Sequence, residues 1–342
     1  MVVLENLKGS FEEFVKSLYK RITAEGPYRR NPKNAALSPV ELQAIAVGAI
    51  LAEINREFTD SLRPFSPGLT KQRLKQKRRM LAECWGINSP EAAAQALSQL
   101  KNKGHREAFD AILANVPQVL ETEQTFEDFQ RAYEAAGLSI FDDDLAKTCP
   151  RELELTKEHI DLFHAMSDKN AGEAELDAQF VKHRVLFDDD AFCVCADIYA
   201  AALEKMHIYA GCANRLRKTL DKLQSRGFVR DAAGLAAINP AAWDMGRLVS
   251  LARWCAACDY ITENTAWDYI LWAWSESTRH YANWAEFGRA YIIGRAMWSG
   301  ESGSILDGTL DEIMDTVDGL LKDETSPWRV AEPKILRIES RG

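Results

Sequence analysis

The side chains best able to do chemistry in this sequence lie in Ala242-Trp243-Asp244-Met245-Gly246-Arg247 and in the later set Trp284, Phe287, Gly288, Tyr291, Gly294, Arg295 and Trp298. On a helix, Asp244 and Arg247 are three residues apart and can face one another as a carboxylate–guanidinium pair. Asp244 also falls in a first turn, where the positive end of the helix dipole favours an anion. Arg295 among aromatic rings has the planar donor fork that grips a carboxylate or a phosphate. With His105 as an acid–base group, Asp244, Arg247 and Arg295 walled by Trp243, Trp284 and Trp298 would make the site of an enzyme or a small-ligand receptor. The plainer reading of the same residues is architectural. Asp244 and Arg247 then cap and tie two helices together, and Gly288, Tyr291 and Arg295 form one stripe at helical spacing where two helices approach closely. Glycine inside a helix costs about 1 kcal/mol against alanine, so two in one helix point to a packing reason. Architecture is the favoured reading.

Other groups carry less. Cys255-Ala256-Ala257-Cys258 has the spacing of half a zinc or redox site, but it lies in an apparently continuous helix. Its only counterpart, Cys193-Val194-Cys195, is far away in sequence, and a zinc site wants a second pair at comparable spacing. His159 and His164 are five apart, a poor helical interval, and no H-E-x-x-H pattern occurs. The triplets Asp142 to Asp144 and Asp188 to Asp190 offer hard oxygen ligands, but each precedes an apolar run and is explained more simply by helix capping. Gly-rich phosphate loops and nucleophile elbows are missing. The expectation is no metal and no cofactor.

Helices must position all of these residues. Ser38-Pro39-Val40-Glu41 is a capping box with proline at the first helical position, and the apolar face from Leu42 to Phe58 predicts a helix over about 39–58. Ser10 to Glu13, Thr125 to Asp128 and Thr309 to Glu312 repeat the capping pattern. Ser89-Pro90 opens a helix that Gly104 closes, Asn239-Pro240 opens one through Trp254, and Asn283 caps one through Trp298. Residues 61–80 read as a loop entering a basic helix. Period-two alternation is lacking, and the best strand candidates, Phe192 to Val194 and Phe228 to Val229, are short. The fold class is all-α, a multi-helix globular bundle. Composition divides the chain into an N-terminal helical region (1–115), a more polar central lobe or insertion (116–235), a Trp-rich helical region (236–330) and a tail (331–342).

The chain of 342 residues is 46% apolar and 27% charged, enough to bury a large core, and carries a net charge of −9. That balance disfavours a general nucleic-acid binder, which needs a positive field to displace counterions from phosphate, and it disfavours docking on anionic lipid. Lys71 to Arg79, KQRLKQKRR, is the one basic run, read as a solvated helix or an internal match to the aspartates. The longest apolar stretch, Ala44 to Ala52, is far short of the roughly 20 residues that span a bilayer. The first ten residues lack the apolar run of a secretory signal, and seven scattered cysteines make no disulfide framework. A cytoplasmic protein is expected.

Several segments resemble one bacterial family. These are Cys84-Trp85-Gly86-Ile87 with Ser89-Pro90-Glu91, Gly104-His105-Arg106, Ala242 to Arg247, the Trp284 to Trp298 block, and Ser326-Pro327-Trp328. The family is the domain of unknown function numbered 1266, with YbeU- and YbeR-like proteins among its members. The resemblance covers roughly 40–115 and 235–330 and implies no activity, cofactor or catalytic residue. It adds Trp85 and His105 to Trp243, Asp244, Arg247, Trp284, Tyr291, Arg295 and Trp298 as candidate binding residues. The expected function is non-catalytic binding of another protein, immunity-like or accessory, with a basic partner favoured by the acidic charge.

Overall fold

The computed structural model describes residues 28–32, 37–65, 70–114, 116–121, 208–303 and 308–330. The capping patterns at Ser10 and Thr125, the aspartate triplets, His159 and His164, Cys193 and Cys195, and the strand candidate at Phe192 lie outside the described residues, as does most of the central lobe. Among the described residues the structure is helical and contains no strand. In order these are α1 (Pro39–Ala46), α2 (Ala49–Ile54), α3 (Thr70–Trp85), α4 (Pro90–Asn102), α5 (Arg106–Ala114) and α6 (Val116–Glu121). After them come α7 (208–225), α8 (Ala232–Ala236), α9 (Ala242–Ala257), α10 (Glu263–His280), α11 (Trp284–Ser299), α12 (Leu310–Lys322) and α13 (Pro327–Val330).

The caps form where the sequence places them. Ser38 and Glu41 exchange bonds as a capping box on α1, and Thr309 and Glu312 do so on α12. Ser89 and Asn283 accept from the third residues of α4 and α11. The single helix expected over 39–58 is two. It breaks at Val47–Gly48, where Gly48 donates back to Ile45, and α2 stops at Ile54, followed by Arg56 at φ 51°. The reason is tertiary: a Cβ at position 48 would sit 2.7 Å from the Val249 side chain of α9, so the backbone bends where the helices touch. Phe228 and Val229 donate to the Leu223 carbonyl and finish α7 as a turn rather than a strand.

α9 is the axis of the fold. Every residue from Ala242 to Cys255 is buried, the mark of a helix packed on all sides. α2, α4, α10 and α11 surround it, and α12 lies against α11 and α2. α9 has no side-chain cap of its own; the Tyr281 hydroxyl accepts from the Ala242 amide at 2.7 Å and donates to the Asn239 carbonyl at 2.8 Å. Gly294 of α11 lies on Trp243, where a Cβ would come within 2.6 Å of the indole's own Cβ. Trp328 of α13 is fully buried, stacks on Trp284 with ring centres 5.2 Å apart, and donates to the Ala46 carbonyl. Each such aromatic removes roughly 150–250 Å² from water.

Candidate functional site

Asp244 and Arg247 stand on the first turns of α9, and the loop between α4 and α5 brings His105 down onto them. Gly104 makes this approach possible. It adopts φ 57°, and a Cβ there would fall 2.1 Å from Asp244 Oδ2. The Asp244 carboxylate, 1% exposed, accepts the His105 backbone N–H at 2.9 Å and so serves the amide at the start of α5 from across the fold. Arg247 Nη2 donates to Asp244 Oδ1 in a short contact, and Arg106 lies 3.9 Å from Oδ2. The Arg247 guanidinium is sandwiched by tryptophans, 4.5 Å from the Trp243 ring centre and 5.6 Å from that of Trp85. Trp298 meets His105 edge-on at 4.0 Å, and Tyr291 meets Trp243 edge-on at 5.1 Å.

The protonation state of His105 follows from its neighbours. Arg247 Nη2 is 2.7 Å from His105 Nδ1, and Asp244 Oδ1 is 3.4 Å from the same nitrogen. A guanidinium has no acceptor, so the shorter of the two contacts, that with Arg247, assigns Nδ1 as the acceptor and the proton of the neutral ring to Nε2. Burial pushes the His105 pKa down and the Arg247 and Arg106 charges add to this, while Asp244 opposes it. Burial alone would raise the pKa of Asp244; contacts from His105 and Arg247 outweigh it and hold the carboxyl below the usual range. A base oriented by a carboxylate needs the opposite tautomer, with Nδ1–H directed at the acid. This ring is arranged as an acceptor for an arginine.

Six of the sequence-derived candidates therefore converge: Trp85, His105, Trp243, Asp244, Arg247 and Trp298, with Tyr291 packed behind them. Two do not. Trp284 belongs to the stack with Trp328 and Phe287. Arg295 is fully buried and directs its fork at backbone carbonyls of the loop after α11, Gly300 at 3.3 Å, Gly308 at 2.7 Å and Ser302. Its donors tie down that loop. Cys255 and Cys258 are buried free thiols that burial pushes up to about 12 and about 11, and a thiol that stays protonated is neither ligand nor nucleophile. No cluster of three or more metal-ligating side chains occurs among the described residues.

Sequence reasoning missed a second buried carboxylate, Glu57, which is 3% exposed. Its Oε1 accepts from Lys77 Nζ at 2.9 Å and from the Trp254 indole at 2.7 Å. Arg253, fully buried, stands behind it with Nη1 3.8 Å from Oε2, and neither of these two atoms has a hydrogen-bond partner. The other Arg253 nitrogens donate to the carbonyls of Phe58, Ser61 and Leu62. Burial pulls the Arg253 pKa below its ordinary value, with Glu57 opposing. The only available signal was Arg253 itself, a lone cation in the apolar run Leu251-Ala252-Arg253-Trp254.

Among the described residues the chain is all-helical, with buried ion pairs that cross-link its helices. A family described as "Protein of unknown function (DUF1266)" matches residues 80–332, and the chain belongs to that family. No curated protein matches it, and no solved structure does.

Proposed function

We propose that this chain is a non-catalytic binding protein whose partner is another protein with a basic surface, in an immunity-like or accessory role. The observation that carries the reading is the closure of the Asp244 cluster. The Asp244 carboxylate, the Arg247 guanidinium and the Nδ1 side of the His105 ring meet one another, and Nδ1 faces a guanidinium at its shorter contact, which does not suit a base oriented by a carboxylate. The acidic surface supports a basic partner. Along α12, Asp311, Asp315 and Asp318, with nearby Glu301, already receive Lys222 and Arg226 of α7. With Lys322 also on Asp318, these four carboxylates still outnumber the three cations on them, and complementary charge of that kind steers association and selects partners. No helix among the described residues is long and apolar enough to cross a membrane.

The test is capture by the tagged full chain from its native host at about 150 mM salt, where the Debye length is about 8 Å, followed by gel filtration of the eluate. A basic protein that co-elutes in fixed ratio, and is lost from a folded Asp311→Lys/Asp315→Lys variant, supports the reading. Recovery of the chain alone, or undiminished capture by that variant, contradicts it.

A further inference from the structure

We propose that the cavity between the end of α2 and α3 binds a small organic anion with an apolar portion, an organic carboxylate or a phosphate monoester. The cavity holds about 560 Å³, within the usual range for small-molecule sites of roughly 300–1,000 Å³. It is separate from the Asp244 cluster and uses the residues around Glu57.

The charge arrangement selects the ligand's sign. Glu57 and Lys77 both line the cavity, with Lys77 only 12% exposed at its side chain. Glu57 faces two cations, Lys77 and the buried Arg253, and Asp60 is a second carboxylate acting on Arg253, so these four charges balance. Arg79 is paired with Glu83 at 2.7 Å, so these two wall residues cancel. Arg73, half-buried in the wall, forms no ion pair among the described residues. Positive charge is thus left over at the cavity, in a chain whose net charge is −9. A pocket lined by excess charge of one sign concentrates ligands of the other. The intermixed Lys77 and Arg73 disfavour a bare cation, despite the two carboxylates.

The walls set the rest of the chemistry. Phe65 and Met80 supply apolar surface beside the basic groups, while Asn55 and Gln76 add amide donors and acceptors. The Arg73 guanidinium, in a wall that also carries Phe65, suits a ligand with an anionic head and a hydrophobic body, while Lys77 stays committed to Glu57 and to the face of the Trp254 ring. The run KQRLKQKRR therefore has a purpose beyond solvation: one of its faces, with Arg73 and Lys77 a helical turn apart, turns inward to the cavity.

The experiment is calorimetric titration of the full chain with phenyl phosphate, phenylacetate and neutral 2-phenylethanol, alongside mass-mapped alkylation of Cys84, an exposed thiol on the cavity wall. At least one anion is expected to bind one-to-one, the neutral alcohol not at all, and the bound anion to slow Cys84 alkylation. The stronger of the two anions identifies the head group. Arg73→Gln, which removes no ion pair, should weaken binding at least about tenfold. Absence of heat with both anions up to about 10 mM, equal affinity for the alcohol, unchanged affinity in Arg73→Gln, or unaltered Cys84 reactivity each overturns the proposal.

Discussion

Asp244 and Glu57 are two carboxylates buried in the same helical scaffold, each beside an arginine and a second cationic or imidazole group, yet their surroundings differ in kind. Asp244 is enclosed by backbone and rings: the Gly104–His105 turn sits on one oxygen, Arg247 on the other, and tryptophans flank that guanidinium. Glu57 has one oxygen fully engaged by Lys77 and Trp254, another without a hydrogen bond, and a cavity alongside. A buried charge that is fully paired stabilises one conformation, whereas a buried charge beside a cavity whose wall carries a further cation, Arg73, adjoins a field for a ligand. The first region reads as architecture and the second as reception.

Four perturbations would break or sharpen that contrast. The largest effect belongs to Asp244→Ala, which leaves Arg247 buried without its counter-ion. Loss of one partner from a buried pair costs about 3–5 kcal/mol, to be read as a lowered urea midpoint with an unchanged slope. Next comes Gly104→Ala. It adds roughly 1–2 kcal/mol of left-handed backbone strain to a direct collision with the Asp244 carboxylate. Gly86→Ala is the control, since it shares the positive φ but has open space around its Cβ. It should lose only the strain, and equal losses at the two positions would deny the close Gly104–Asp244 contact.

Lys77→Met should be milder, about 1.5 kcal/mol, because Glu57 retains Trp254 and Arg253 and the cavity admits water. A loss as large as that of Asp244→Ala would make the two regions alike. The smallest effect is on pH dependence. His105 has its folded pKa held below the ordinary 6.5, so the unfolded chain binds the extra proton. Stability is fully present above pH 6.5 and is lost as pH falls toward the lower folded value, by at most about 1.4 kcal/mol per pH unit. Asp244, held below 3.8, adds a second loss at still lower pH. His105→Gln should remove the first limb and shrink the second, because His105 contacts help hold Asp244 down, as followed by thermal melts across pH.

How much of this was legible in the sequence depended on the range of the cause. Caps at Ser38, Ser89, Asn283 and Thr309 were readable because donor and acceptor lie three residues apart. The Asp244–Arg247 pair was readable for the same reason. The break at Gly48 was not, since it answers to Val249, nor was the closing of α9 by Tyr281. Arg295 could be recognised as buried among aromatics, but its carbonyl partners depend on how the loop after α11 turns back. Glu57 gave no local sign at all: Lys77, Arg253 and Trp254 reach it from two helices remote in sequence.

The closed cluster at Asp244 depends most on His105 being an acceptor for Arg247 and not a base held by Asp244. Long-range ¹H–¹⁵N correlation of the imidazole nitrogens at neutral pH distinguishes the two. It should find a neutral ring with its proton on Nε2 and Nδ1 unprotonated, whereas a proton on Nδ1 shared with Asp244 would contradict the closed cluster and return those residues to chemistry.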